Sequence, residues 1–134
     1  MTLRRTTMKR FAAVAAVLAM LAAPALAQAG DGPPPGTYTA KIAAPAALKG
    51  TWTLSFAKNG TYAISQNGKV VVHGHDLSIG PQVQLYRETG PKACKALGFY
   101  NFKRSGKTLT FSSLHDPGCA GRAVVLSHRF TFVK

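Results

Sequence analysis

The chain has 134 residues, with 17 Lys and Arg against four Asp and Glu, and a formal net charge of +13 at pH 7. This length suits one domain with a modest core, and four carboxylates with no convincing pair among them argue against acid–base catalysis. The basic residues are scattered instead of clustered, so we expect no nucleic-acid partner.

The first 27 residues are predicted to be a secretory signal peptide. Basic residues between Arg4 and Arg10 precede an apolar run from Phe11 to Ala23, and the sequence Pro-Ala-Leu-Ala ends at Ala27 with small residues where a signal peptidase cleaves. The apolar run of about 13 residues is shorter than the roughly 20 of a membrane-spanning helix, so no transmembrane anchor is expected. The sequence therefore predicts cleavage after Ala27 and a secreted or periplasmic protein, with both general and twin-arginine export left open.

Residues 28–36 are predicted to form a Gly/Pro-rich tether, and residues 37–134 a single domain. The signal peptide holds four of the basic residues and no acid, which leaves 13 basic against four acidic residues, a net charge of +9. Such a charge keeps a small exported protein soluble, and it also suits an anionic envelope component or an acidic protein as partner.

The domain alternates apolar and polar residues with a period of two, the pattern of strands with one buried face. Hairpin signals occur at Asn59-Gly60, Asn67-Gly68 and Ser105-Gly106. Predicted strand segments are 51–56, 62–64, 69–72, 82–85, 99–102, 108–111 and 123–133, and one helical turn is predicted at 45–50. Short strands at roughly ten-residue spacing predict an all-β fold, a small antiparallel up-and-down barrel of about eight strands with room for packed side chains or one small ligand.

The two cysteines of the predicted mature chain, Cys94 and Cys119, are expected to form a disulfide, because an even pair in an oxidising compartment is typical of a disulfide framework. Free thiols in redox or metal chemistry are the alternative, but the C-x-x-C spacing is absent.

A family resemblance enters at Gly50-Thr51-Trp52. A Gly-x-Trp at the start of the first long strand resembles the lipocalin, or calycin, signature. Residues 48–133, including the segments 90–94 and 119–122 around the two cysteines, resemble small bacterial lipocalin-like exported proteins. The resemblance implies that Trp52 packs at the closed end of the barrel beneath Arg129 of the last strand. Simple alternation turns Arg129 away from Phe130 and Phe132, so this pairing requires a bulge or a wrapped side chain.

The sharpest chemical feature is His73-Gly74-His75, because two histidines at i and i+2 of a strand share a face, as zinc sites sometimes require. No further spaced ligand set accompanies them, so we predict no metal site, and Gly74 is expected to bulge its strand. No Gly-x-Ser-x-Gly motif or Gly-rich phosphate loop is present in residues 28–134, and we predict no catalytic residues, no cofactor and no enzymatic activity.

The predicted function is a monomeric, non-enzymatic binding module that holds a small apolar or amphipathic ligand in the barrel. The candidate ligand-binding residues are Trp52, Phe56, Tyr62, His73, His75, Tyr100 and Phe102. Two alternatives stay open: an exported inhibitor or protein-interaction module similar to metalloprotease-inhibitor calycins, and a ligand-free envelope or stress protein. A ligand-sized cavity would favour the first hypothesis, an N-terminal segment across the barrel mouth the second, and a filled lumen the third.

Overall fold

The computed structural model describes residues 32–134 of the protein; the predicted signal peptide, its cleavage site and residues 28–31 of the tether lie outside the described residues. Eight strands occur in this part: β1 (Gly36–Ile42), β2 (Gly50–Phe56), β3 (Thr61–Gln66), β4 (Lys69–Ile79), β5 (Gln82–Thr89), β6 (Gly98–Ser105), β7 (Thr108–His115) and β8 (Phe130–Phe132). A 3-10 turn (Ala46–Leu48) precedes β2, and one α-helix, α1 (Ala120–Leu126), precedes β8. None of the helices described here is long and apolar enough to cross a membrane.

The strands form one closed barrel. Each strand pairs antiparallel with the next, and β1 also pairs antiparallel with β8. The prediction of an eight-stranded up-and-down barrel is therefore confirmed. We call the end with the turns at 57–60, 80–81 and 106–107 the hairpin end, and the end with the longer connections at 43–49, 90–97 and 116–129 the helix end.

The interior follows the predicted strand parity. The side chains on the apolar parity of the predicted strands 51–56, 62–64 and 108–111 are all buried: Trp52, Leu54, Phe56, Tyr62, Ile64, Leu109 and Phe111. Several of these side chains pack against one another; the ring centroids of Phe56 and Phe111, for example, lie 6.2 Å apart. A one-residue slip of any strand would turn its inner row outward, so burial of this row fixes the register.

Two elements differ from the prediction. The expected strand 123–133 is helical up to Leu126, and only Phe130–Phe132 pair as β8. Arg122, Val125 and Leu126 are all buried, and their spacing of three and four residues places them on one helical face. The strand β1 was not predicted, although Tyr38, Ala40 and Ile42 alternate inward with the period of a strand.

The predicted disulfide is present. Cys94, in the connection between β5 and β6, is bonded to Cys119 directly before α1, with the two Cα atoms 5.9 Å apart. The bond closes a loop of 25 residues, which is expected to stabilise the fold by about 3 kcal/mol through loss of unfolded-chain entropy. It also attaches the start of α1 to the connection between β5 and β6.

The Pro-rich residues before β1 pack on the barrel. Pro33 is buried, and the Tyr38 hydroxyl donates a 2.7 Å hydrogen bond to the Pro34 carbonyl. Gly36, predicted as the last residue of the tether, is the first residue of β1 and pairs with Phe56 of β2. The described part of the predicted tether thus belongs to the domain.

Candidate functional site

A cavity of about 150 Å³ lies at the helix end, between α1 and the wall made by β2 to β5. Its lining residues are Leu48, Trp52, Ile64, Val72, Glu88, Lys92, Gly121, Arg122, Val125 and Leu126. The strand residues face it because they lie on the inner parity, and α1 covers it from outside. Leu48, Lys92 and the exposed Gly121 surround its mouth.

Trp52 forms one wall of the cavity and is held in place by two groups, the Leu48 carbonyl and the Lys92 ammonium. Its side chain is buried, and its indole Nε1 donates a 2.7 Å hydrogen bond to the Leu48 carbonyl. The Lys92 ammonium lies 5.7 Å from the ring centroid and donates to the carbonyl of Ala47, at 3.2 Å, and to the side chain of Gln66. The indole and the cation together fix the side of the cavity next to the 3-10 turn.

The expected pairing of Trp52 with Arg129 is not found, and Lys92 lies over the ring instead. Arg129 lies directly before β8 and is exposed. Phe130, the first residue of β8, is wholly buried, and the alternation of a strand turns the residue before it to the opposite face. Neither the bulge nor the wrapped side chain that the pairing required is present at this position.

A buried ionic cluster forms the opposite wall. Arg122 donates two hydrogen bonds to Asp116, through Nε at 2.9 Å and Nη2 at 2.8 Å, and its Nη1 lies 3.1 Å from Glu88 Oε2. Glu88 also accepts a 2.8 Å hydrogen bond from the Cys94 backbone amide. The side chains of Arg122 and Glu88 are 4 and 1 % exposed, so the cluster is shielded from solvent.

Two tyrosines donate to the carboxylates of this cluster. The Tyr62 hydroxyl donates to Glu88, and the Tyr100 hydroxyl donates to Asp116. Burial first, and then the neighbouring Glu88, raises the pKa of Tyr62 far above its ordinary value; burial and the hydrogen bond to Asp116 do the same for the pKa of Tyr100. Both phenols therefore stay protonated and act as donors.

Arg122 keeps its charge in this setting. Burial lowers its pKa, but the hydrogen bonds to Asp116 and the charge of Glu88 outweigh burial and raise the pKa above the ordinary value. Its Nη1 lies 3.1 Å from Glu88 Oε2, and within residues 32–134 this contact is an ion pair without a well-aligned hydrogen bond.

Glu88 and Arg122 were not among the residues predicted for the site, and a β-bulge explains why Glu88 was missed. Val83 and Leu85 point inward, so regular alternation would direct residue 87 inward and residue 88 outward. Arg87 adopts a φ of 53°, and two residues of β5 face Gly74 of β4, which shifts the parity by one. The bulge expected in the strand of Gly74 is thus found in the partner strand β5, and Gly74 leaves room for the Tyr62 ring, since a Cβ at residue 74 would lie 2.5 Å from it.

Comparison with known protein families, with characterised proteins and with solved structures finds no match. The resemblance to lipocalins therefore stays a prediction from Gly50-Thr51-Trp52, and the site has to be interpreted from its own geometry.

The other predicted site residues lie elsewhere. Phe56, Tyr100 and Phe102 are in or against the core without lining the cavity, and Tyr62 approaches the site only through its hydroxyl on Glu88. His73 and His75 point outward and line an open groove on the barrel's outer wall, where the His75 ring packs 5.6 Å from that of Tyr86. Among residues 32–134, no three His, Cys, Asp or Glu side chains are arranged to hold a metal ion.

The hairpin end contains a carboxylate of a different kind. Asp76 is half-buried beside Ser78 and the Pro-rich residues, and its Oδ1 has no hydrogen-bond partner in the described part of the chain. Burial raises the pKa of Asp76 to about 6, against a smaller opposing effect of His75. The charged form is therefore disfavoured in the folded protein.

This raised pKa predicts an unusual pH dependence of stability. Between pH 4 and pH 6 the unfolded chain loses the Asp76 proton while the folded protein retains it, so the free energy of unfolding should fall as the pH rises through this window. Two pKa units correspond to about 3 kcal/mol, but solvent screening of a half-buried group reduces this to roughly 1 kcal/mol. Asp76→Asn should therefore stabilise the domain at pH 7 and remove the fall, as urea denaturation at pH 4 and 7 would measure. A variant that is less stable than the wild type at pH 7 would contradict the prediction.

Proposed function

We propose that the protein is an exported, non-enzymatic binding module that holds a small and largely apolar molecule with one acceptor group in the cavity beneath α1. The observation that carries the proposal is a largely apolar cavity with a buried arginine, paired with Glu88 and Asp116, in its wall. Apolar sites with a few placed polar groups are the common form of small-molecule pockets.

The size of the cavity limits the ligand. A cavity of about 150 Å³ lined by aliphatic and aromatic side chains can hold a molecule the size of benzene. The ligand class is therefore a single ring or a short acyl chain, with its apolar part against Trp52, Ile64 and Val125 and its acceptor oxygen at the mouth near Lys92. Lys92 at the mouth favours an anionic headgroup.

The chemistry of the wall supports binding without catalysis. Glu88 accepts from Tyr62 and from the Cys94 amide and pairs with Arg122, so it is not free to take a proton from a bound molecule. The disulfide supports export, because such bonds persist in oxidising compartments.

One observation favours the ligand-free alternative: much of the lumen is filled by side chains such as Tyr38, Tyr100 and Phe130. The inhibitor alternative has less support, because residues 32–35 pack at the hairpin end, opposite the mouth of the cavity.

The test is a titration with benzoate, benzyl alcohol and hexanoate, followed by calorimetry and by the fluorescence of Trp52, the one tryptophan in the sequence. About ten non-hydrogen atoms at roughly 0.5 kcal/mol each predict a Kd on the order of 0.2 mM for the best probe. We expect quenching or a spectral shift that saturates with the same Kd as the heat.

The matched control compares two substitutions of Gly121, at the mouth of the cavity. Gly121 is exposed, and a Cβ built there meets no atom within 4 Å, so Gly121→Ala should bind like the wild type. Gly121→Phe places a ring at the mouth and should reduce binding at least tenfold. Absence of saturable binding by all three probes would favour the ligand-free alternative, and identical binding by both variants would show that the probe binds outside this cavity; either result contradicts the proposal.

A further inference from the structure

The connection between β1 and β2 is an exposed apolar loop at the helix end. Residues 43–47 read Ala-Ala-Pro-Ala-Ala, all five are exposed, and Lys41 and Lys49 flank them. The next residue, Leu48, lines the mouth of the cavity. An apolar loop between two lysines therefore borders the mouth.

The exposed charged side chains of the helix end are all basic. Three acidic residues fall within residues 32–134: the side chains of Glu88 and Asp116 are 1 % exposed, and Asp76 is half-buried near the opposite end. The exposed basic residues of the helix end are Lys41, Lys49, Lys69, Lys92, Lys95 and Arg129. The acids lie inward and the bases outward, so this surface presents cations without exposed carboxylate side chains.

We propose that the helix end docks on an anionic lipid surface, with loop 43–47 entering the headgroup region. Lysines are attracted to the negative potential of such a surface, and stable attachment needs a second, apolar contribution. A soluble polyanion would engage the lysines but would gain nothing from the alanines and the proline, so the loop favours a lipid surface. In this orientation the mouth of the cavity faces the bilayer, although docking does not depend on a bound ligand.

The experiment is co-sedimentation of the processed protein with vesicles of phosphatidylcholine alone or mixed with phosphatidylglycerol. The protein should bind the mixed vesicles, should not bind phosphatidylcholine alone, and should dissociate as salt is added. Lys41→Gln/Lys49→Gln should weaken binding about thirtyfold, at about 1 kcal/mol for each lysine. The matched control Lys58→Gln/Lys107→Gln makes the same change of charge at the hairpin end and should bind within about threefold of the wild type.

A second matched pair tests the loop itself. Ala46→Asp places a carboxylate in the loop, and Ala57→Asp places one at an exposed position of the hairpin end. Ala46→Asp should bind at least tenfold more weakly than Ala57→Asp. Equal binding by the two aspartate variants would indicate a soluble polyanion as partner, and equal binding by the two lysine pairs would indicate attraction without orientation; either result overturns the proposal.

The proposals of membrane docking and of ligand binding can be tested independently of each other. Lys41→Gln/Lys49→Gln leaves the cavity lining unchanged, so it should retain the benzoate affinity of the wild type. If this variant loses vesicle binding but keeps the benzoate response, the result concerns docking and leaves the ligand-binding proposal unchanged.

Discussion

Replacing Arg122 by methionine should lower the free energy of unfolding by about 4 kcal/mol or more. Arg122 is the cation that pairs with both Glu88 and Asp116, and the side chains of these two acids are 1 % exposed. Removal of one partner from a buried ion pair typically costs 3–5 kcal/mol, because the remaining charge is left buried without compensation. Here two carboxylates would be left, although Tyr62 and Tyr100 would still donate to them.

Denaturation in urea, followed by far-UV circular dichroism, measures this loss. The control is the triple variant Arg122→Met/Glu88→Gln/Asp116→Asn, which removes all three charges, keeps most of the volume and should recover more than half of the lost stability. Acid should also partly rescue Arg122→Met, because protonation neutralises the two carboxylates. A loss below about 1 kcal/mol, or a triple variant no more stable than the single one, would show that the cluster does not act as an electrostatic unit.

The architecture could be predicted because burial alternates regularly over most of the barrel. Trp52, Leu54 and Phe56 occupy every second position, and the turn at Asn59-Gly60 then reverses the chain so that Tyr62 and Ile64 continue the inner row. The disulfide was predicted because the predicted mature chain offers a single pair of cysteines.

The polar wall of the candidate site could not be predicted in the same way, because its residues come from the places where the alternation breaks. Glu88 points inward only through the bulge at Arg87, and Arg122 points inward only because residues 120–126 form a helix. The segment Ala123-Val124-Val125-Leu126 contains neighbouring β-branched residues that favour a strand. The tertiary contacts of Val125 and Leu126 with the core override this preference.

The second large effect is expected at Trp52. Trp52→Ala should lower the free energy of unfolding by about 3–5 kcal/mol, because truncation of a buried tryptophan loses apolar burial and leaves a cavity. Trp52 is 3 % exposed, and its removal would also leave the Leu48 carbonyl without the indole donor. The new space would join the cavity already present, so the wall would have little with which to fill it.

Two milder variants separate the contributions at this position. Trp52→Phe keeps a ring but loses the hydrogen bond, and should cost about 1–2 kcal/mol. Lys92→Met keeps the alkyl stem but removes the cation over the ring, and should cost about 0.5–1 kcal/mol. Because these substitutions remove the one tryptophan or change its surroundings, far-UV circular dichroism has to follow the denaturation. If Trp52→Ala cost no more than Trp52→Phe, the indole would not be the support of the helix end, and the cavity wall would have to be held by α1 and its disulfide alone.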